Sequence, residues 1–176
     1  MWLKAMSRSY SVKSDYRLLC DSEHSNLPSA SNSEASKKFW AGVWRLNVPS
    51  KVKSFVWRAC TNSLPTLANL LKRKMVSSPT CSSCLREPET ILHAVWGCDS
   101  IKSVWNRDFS GLNGGTHPLE SFAELFGLVL VNPRGAELFA MTCWSLWTRW
   151  NKSRLGDRIE PLNKVSCLVC QQLSCF

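Results

Sequence analysis

Four residues constrain this chain more than any others: Cys81, Cys84, His93 and Cys98, spaced Cys-x2-Cys-x8-His-x4-Cys. Zinc takes four soft or borderline ligands at tetrahedral corners, with Zn–S near 2.3 Å and Zn–N near 2.0 Å. A Cys-x2-Cys turn puts two thiolates on one side of an ion, because the loop backbone folds tightly over it. His93 and Cys98 are five apart, so one helix and its C-terminal turn can supply the opposite pair. Pro79 and Gly97 suit the bends this requires. Four protein ligands leave no open position for water, which points to a structural ion, not a catalytic one. The competing reading is a set of buried cysteines and a core histidine. Their closeness in a loop-rich segment favours the metal, which would contribute folding energy on the order of 10 kcal/mol.

The nine cysteines support the same reading. Their number is odd, so a pure disulfide framework would leave one over. The first twenty residues lack the apolar stretch of a secretory signal, and no run reaches the roughly 18 apolar residues of a membrane span. The expected setting is therefore intracellular, in nucleus or cytoplasm, where spaced cysteines read as metal ligands before disulfides.

Charge is concentrated. The chain carries a net +9, and residues 37–86 hold ten Lys or Arg with no Asp or Glu. The remainder is near neutral, with 12 basic and 13 acidic residues. A field gathered this way attracts polyanions.

Periodicity reads as mostly α. Residues 14–20 suggest a short helix, and 21–36 a Ser/Asn/Pro-rich linker. From residue 36 the pattern turns helical, with Phe39, Trp40, Val43 and Trp44 on one stripe. Ser50 is a good N-cap for a helix over 51–61, with Val52, Phe55, Val56 and Ala59 inward. Thr66 caps a third helix over 67–75, ending on Lys72, Arg73 and Lys74, where positive charge suits the dipole. Short helices are expected over 89–96 and 99–108. A flexible connection spans 109–118, and two further helical patterns cover 119–130 and 136–154. The expected architecture is a small helical domain over 37–108 organised around one structural zinc. A loosely attached helical pair follows over 119–155, flanked by an N-terminal segment and linker (1–36) and a tail (156–176).

Trp40, Trp44 and Trp57 lie on helix stripes and read as core. Trp144, Trp147 and Trp150 repeat every three residues, either covering the metal module or awaiting a partner. Cys20, Cys60 and Cys143 read as packing residues. Cys167, Cys170 and Cys175 lack a dependable fourth ligand and read as coincidence, and His24 and His117 have no assigned role.

Together these residues resemble a known family. Phe39-Trp40-x3-Trp44-x3-Asn47-Val48-Pro49-x-Lys51-Val52-Lys53-x-Phe55-x-Trp57-Arg58-Ala59 is similar to the zinc-binding domain of plant non-LTR retrotransposon reverse transcriptases. So are Asn62-Ser63-Leu64-Pro65-Thr66, Leu70, the Cys81-x2-Cys84 pair, Glu89-Thr90-x2-His93-x4-Cys98 and Val104-Trp105. Weaker likeness lies in Tyr10-Ser11-Val12-Lys13-Ser14-x-Tyr16 and in Trp144-x2-Trp147-x2-Trp150-Asn151, where Trp150 stands in place of the family's usual Arg. The resemblance implies zinc ligands at Cys81, Cys84, His93 and Cys98, a nucleic-acid-associated role and a reverse transcriptase polymerase as possible neighbour. No polymerase pattern precedes the segment, and nothing after Asn151 resembles the acidic quartet of ribonuclease H. The expectation is an isolated piece of such an element.

The candidate phosphate contacts for RNA or DNA are Lys51, Lys53, Arg58, Lys72, Arg73 and Lys74. No nucleophile sits in a motif with a partnering base, and no phosphate-binding Gly loop occurs, so an enzyme is not expected. The alternatives are a zinc-stabilised protein-interaction scaffold and a transposon remnant without function.

Overall fold

The computed structural model describes residues 30–106, 108–109, 111–112 and 119–174. The expected 14–20 helix, the weak motif at Tyr10–Tyr16, His24, His117 and Cys175 lie outside them. The chain forms two units, residues 1–38 and 39–176. In the described part of the first, the opening of helix α1 (Ala30–Arg45) carries an exposed Lys38–Glu34 ion pair of 3.1 Å. This helix begins inside the segment read as linker. Residues 34–38 are exposed, and no apolar pattern marks this opening in the sequence.

The second unit is mostly helical, and among the described residues its strand structure is a single isolated bridge between Thr80 and Pro88. After α1 come α2 (Ser50–Cys60), α3 (Leu67–Lys72), a π-helical turn (His93–Gly97), a 3-10 turn (Asp99–Ile101), α4 (Lys102–Trp105), α5 (Phe122–Val129), α6 (Pro133–Arg154) and α7 (Leu162–Ser174).

Capping explains most of the boundaries. Pro49, not Ser50, precedes α2, and Ser50 is its first residue. Thr66 Oγ1 accepts from Asn69 N–H to start α3. That helix stops at Lys72, short of the expected residue 75, and Lys74 takes a positive φ of 58°. Arg73 and Lys74 thus lie beyond the helix rather than in its last turn. Ser121 caps α5 by accepting from Glu124 N–H, and Glu124 reaches back to the N–H of Glu120, a reciprocal capping arrangement. Asn132 caps α6 with Pro133 at its first turn. Gly156 ends that helix at φ +75°, a conformation that costs glycine no Cβ clash.

The helices after residue 118 are not a loosely attached pair. They supply much of the core. Phe139 on α6 is fully buried between Trp105 (4.9 Å between ring centroids), Phe109 (5.2 Å) and Trp96 (5.7 Å) on one side and Phe122 and Phe126 of α5 on the other. Phe55 of α2 meets Phe122 and Trp147. Val165 and Val169 close α7 onto this core, so the stretch read as a tail is helical and packed.

The tryptophans divide differently from the sequence reading. Trp147 and Trp150 are buried and stacked at 5.0 Å, and Trp144 is half-buried. Trp40 is half-buried against Phe39. Trp44 and Trp57, expected in the core, stand 49% and 46% exposed. Leu46, Val43, Phe55 and Val56 fill the interior beside them, leaving the two indoles on the rim.

Candidate metal centre

The loop carrying the first ligand pair is a miniature hairpin. Cys81 N–H donates to the Glu87 carbonyl at 2.9 Å, and Glu89 N–H to the Pro79 carbonyl at 2.7 Å. Leu85, at φ 56°, turns the chain, and its N–H bonds the Cys81 carbonyl. Thr90 Oγ1 accepts from the His93 N–H and starts the helical turn that presents the imidazole. Cys98 follows that turn, with its N–H on the His93 carbonyl.

The outcome is convergence. The donor atoms of Cys81, Cys84, His93 and Cys98 all lie within 4.8 Å of one another. Cys81 Sγ and Cys98 Sγ are 4.0 Å apart, and Cys84 Sγ lies 3.3 Å from His93 Nε2. A zinc tetrahedron has S–S edges near 3.8 Å and S–N edges near 3.5 Å, from its bond lengths. Three sulfurs and an imidazole nitrogen at these separations fit one zinc ion. Cys81, Cys98 and His93 are buried.

The thiols differ in proton affinity. Backbone N–H groups of Glu87 and Arg86 aim at Cys84 Sγ and lower its pKa to about 6. Burial pushes Cys81 up to about 11, against N–H donors from Cys84 and Ser83. Cys84 is thus the readier thiolate. Glu87, missed in the sequence reading, accepts from His93 Nδ1 at 3.1 Å. That bond leaves Nε2 as the free lone pair and turns it toward the sulfurs. Such outer carboxylates orient a ligating imidazole and raise its basicity. Replacing Glu87 with Ala should weaken zinc affinity about 10- to 100-fold. Competition with a chromophoric chelator measures it, and Glu87→Gln should recover part of the loss.

Glu89 does more than open a helical turn. It is fully buried, and its Oε1 accepts from Leu67 N–H at 2.8 Å while its backbone carbonyl accepts from Ala68 N–H at 3.2 Å. The metal hairpin therefore caps α3. The Trp150 indole N–H faces the same carboxylate, though neither Glu89 Oε2 nor Trp150 Nε1 makes a well-aligned hydrogen bond. Burial raises this carboxyl's pKa, opposed by Leu67 N–H and the Arg154 charge. A charge six residues before the histidine and a glutamate ahead of its turn were visible as residues. Their partners were not, because both contacts depend on the closed hairpin.

Helix α6 backs the centre. Cys81, Cys98, Leu146, Arg149 and Trp150 border a cavity of about 30 Å³, roughly one water molecule. Elsewhere, Cys143 is buried and Cys60 half-buried. Burial lifts Cys60 to about 12 and Cys143 well upward, as suits packing thiols. Cys167 and Cys170 are exposed on α7.

The six candidate basic residues do not form one cluster. Lys51 and Lys53 leave α2 on opposite flanks. The Lys51 ammonium lies 4.4 Å from the ring centre of Trp144 on α6, and Lys53 Nζ donates to the Trp44 carbonyl at 3.0 Å. Arg58 is exposed near the end of α2, and Lys72, Arg73 and Lys74 are exposed where α3 ends. Among the described residues no ion pair joins any of the six to a carboxylate, whereas Arg86 is held by Asp99 at 3.0 Å.

A Cys3His cluster in a short hairpin and turn, backed by helices, defines a helical metal-binding module. The family described as zinc-binding in reverse transcriptase matches residues 10–105, more than half of the chain. The chain belongs to that family. It is also 26% identical over 106 residues to the "Putative ribonuclease H protein At1g65750" of Arabidopsis thaliana. The match covers 60% of this chain and 16% of that protein. The chain thus spans a small part of its relative. No solved structure matches it. Among the described residues no helix is long and apolar enough to cross a membrane.

Proposed function

We propose that this chain is a zinc-stabilised, non-catalytic module that binds RNA or DNA, working as an accessory to a reverse transcriptase polymerase. Cys81, Cys84, His93 and Cys98 hold the ion, which supplies folding energy and no open coordination site. A full set of four protein donors within 4.8 Å of one another supports a structural role. Reduced thiolate ligands imply an intracellular setting, nucleus or cytoplasm. The ribonuclease H in the relative's name belongs to a protein of which only 16% is matched, and it is not carried over.

The observation that carries nucleic-acid binding is that none of the six candidates pairs with a carboxylate among the described residues, in a stretch of ten positive and no negative charges. Phosphates are the counter-charge such a surface accepts. Lys72, Arg73 and Lys74 are consecutive and exposed, and are joined to the metal hairpin through Glu89 and α3. Changing all three to Ser should weaken binding to an oligonucleotide and reduce the slope of log affinity against log salt by about 2 to 3. Zinc content and helical signal should be unchanged, since none of the three is buried. Unchanged affinity and slope would remove the cluster from the contact surface.

A further inference from the structure

Trp44 and Trp57 raise a question the metal centre does not answer. Each leaves nearly half its surface in water, and together they bracket a lysine. Lys53 lies one helical turn before Trp57, at a spacing that puts the two side chains side by side on α2. Its ammonium is 3.0 Å from the backbone carbonyl of Trp44 on α1. Arg45 and Arg58, the next residues after the two tryptophans, are both exposed. Exposed indoles and cations are thus neighbours in sequence on both helices, and Lys53 ties the two helices together at Trp44.

We propose that this face binds a single-stranded polynucleotide, with unpaired bases stacked on Trp44 and Trp57 and phosphates held by Lys53, Arg45 and Arg58. This rests on the nucleic-acid reading above and narrows it. Two features select the occupant. The positive charge, with no acid in residues 37–86, selects a polyanion. The indole faces select one whose bases are free, because a duplex keeps its base faces stacked on one another. Stacking on an aromatic side chain suits any base, so the face reads strandedness rather than sequence. Lys53 is already held beside Trp44, so little side-chain freedom is left for binding to remove.

The test uses the full chain loaded with zinc, and labelled 15-residue oligonucleotides as single-stranded RNA, single-stranded DNA and the matching DNA duplex. Affinities by fluorescence anisotropy are compared for wild type, Trp44→Ala, Trp57→Ala, and the two Phe variants. Each Ala change should weaken single-strand binding about tenfold or more. The Phe variants should keep most of the affinity. Duplex binding and the salt slope should stay near wild type, because no phosphate contact is removed. If the Ala variants bind single strands as wild type does, or lose duplex and single strand alike, stacking is overturned while phosphate binding stands. If the wild type binds no oligonucleotide at low salt, both readings fall, and the tryptophan face is left to a protein partner. The ratio of RNA to DNA affinity identifies the strand.

Discussion

Changing His93 to Ala, or Cys84 to Ser, should leave the chain without stoichiometric zinc and strip it of much of its helical signal. Wild type should carry one ion per chain by metal analysis. Structural zinc contributes about 10–16 kcal/mol in small modules, comparable with or larger than the whole stability of a typical domain. Here three of the four ligands are themselves interior. Cys81, His93 and Cys98 are buried, and between residues 76 and 90 the only buried side chains are Cys81 and Glu89. Without the ion that hairpin has almost no apolar core to close on. Glu89 then leaves the start of α3, and the turn bearing Val95 and Trp96 loosens against Phe139. The damage should spread from the metal loop into the helical core. A strong chelator should produce the same loss in wild type. A metal-free variant with the wild-type melting temperature would reject the site.

The second large effect is expected far along the chain. Phe139→Ala should destabilise the zinc-loaded protein by about 3–5 kcal/mol, the usual range for deleting a buried ring. For a chain of this size that is a fall of roughly 10 °C in melting temperature. Phe139 has no exposed surface and touches rings from both sides of residue 118. Its loss should therefore also speed zinc release to a chelator, because Trp96 and Trp105, on either side of Cys98, lean on it. Were 119–155 a loosely attached pair, the substitution would leave zinc exchange unchanged. That result, with an unaltered melting temperature, would show that the segments fold apart.

The helices were legible because their signals are local. Thr66 and Asn132 announce helix starts through their own side chains, and Val52, Phe55, Val56 and Ala59 repeat at the spacing that buries one face. The Cys-x2-Cys…His-x4-Cys spacing was legible for the same reason, since a hairpin and one helical turn bring those donors within reach over few residues. Where the structure departs from the local pattern, the deciding contact lies far away in sequence. The stripe through Trp40 and Trp44, and the position of Trp57, look alike by period. Only the tertiary packing decides which of these indoles is covered. Likewise Asn47 N–H donates to Glu137, ninety positions on, and Lys51 lies over Trp144, contacts no local pattern encodes.

What this sequence determined alone is therefore the helical class, the family and a set of four donors spaced for one ion, because capping, periodicity and ligand spacing act over a few residues. Tertiary structure decided that the metal hairpin and the C-terminal helices share one core, that Glu87 and Glu89 serve the metal loop and α3, and that two tryptophans face water. Those outcomes depend on which surfaces meet when the chain closes, and burial is a property of the pair of surfaces rather than of either segment.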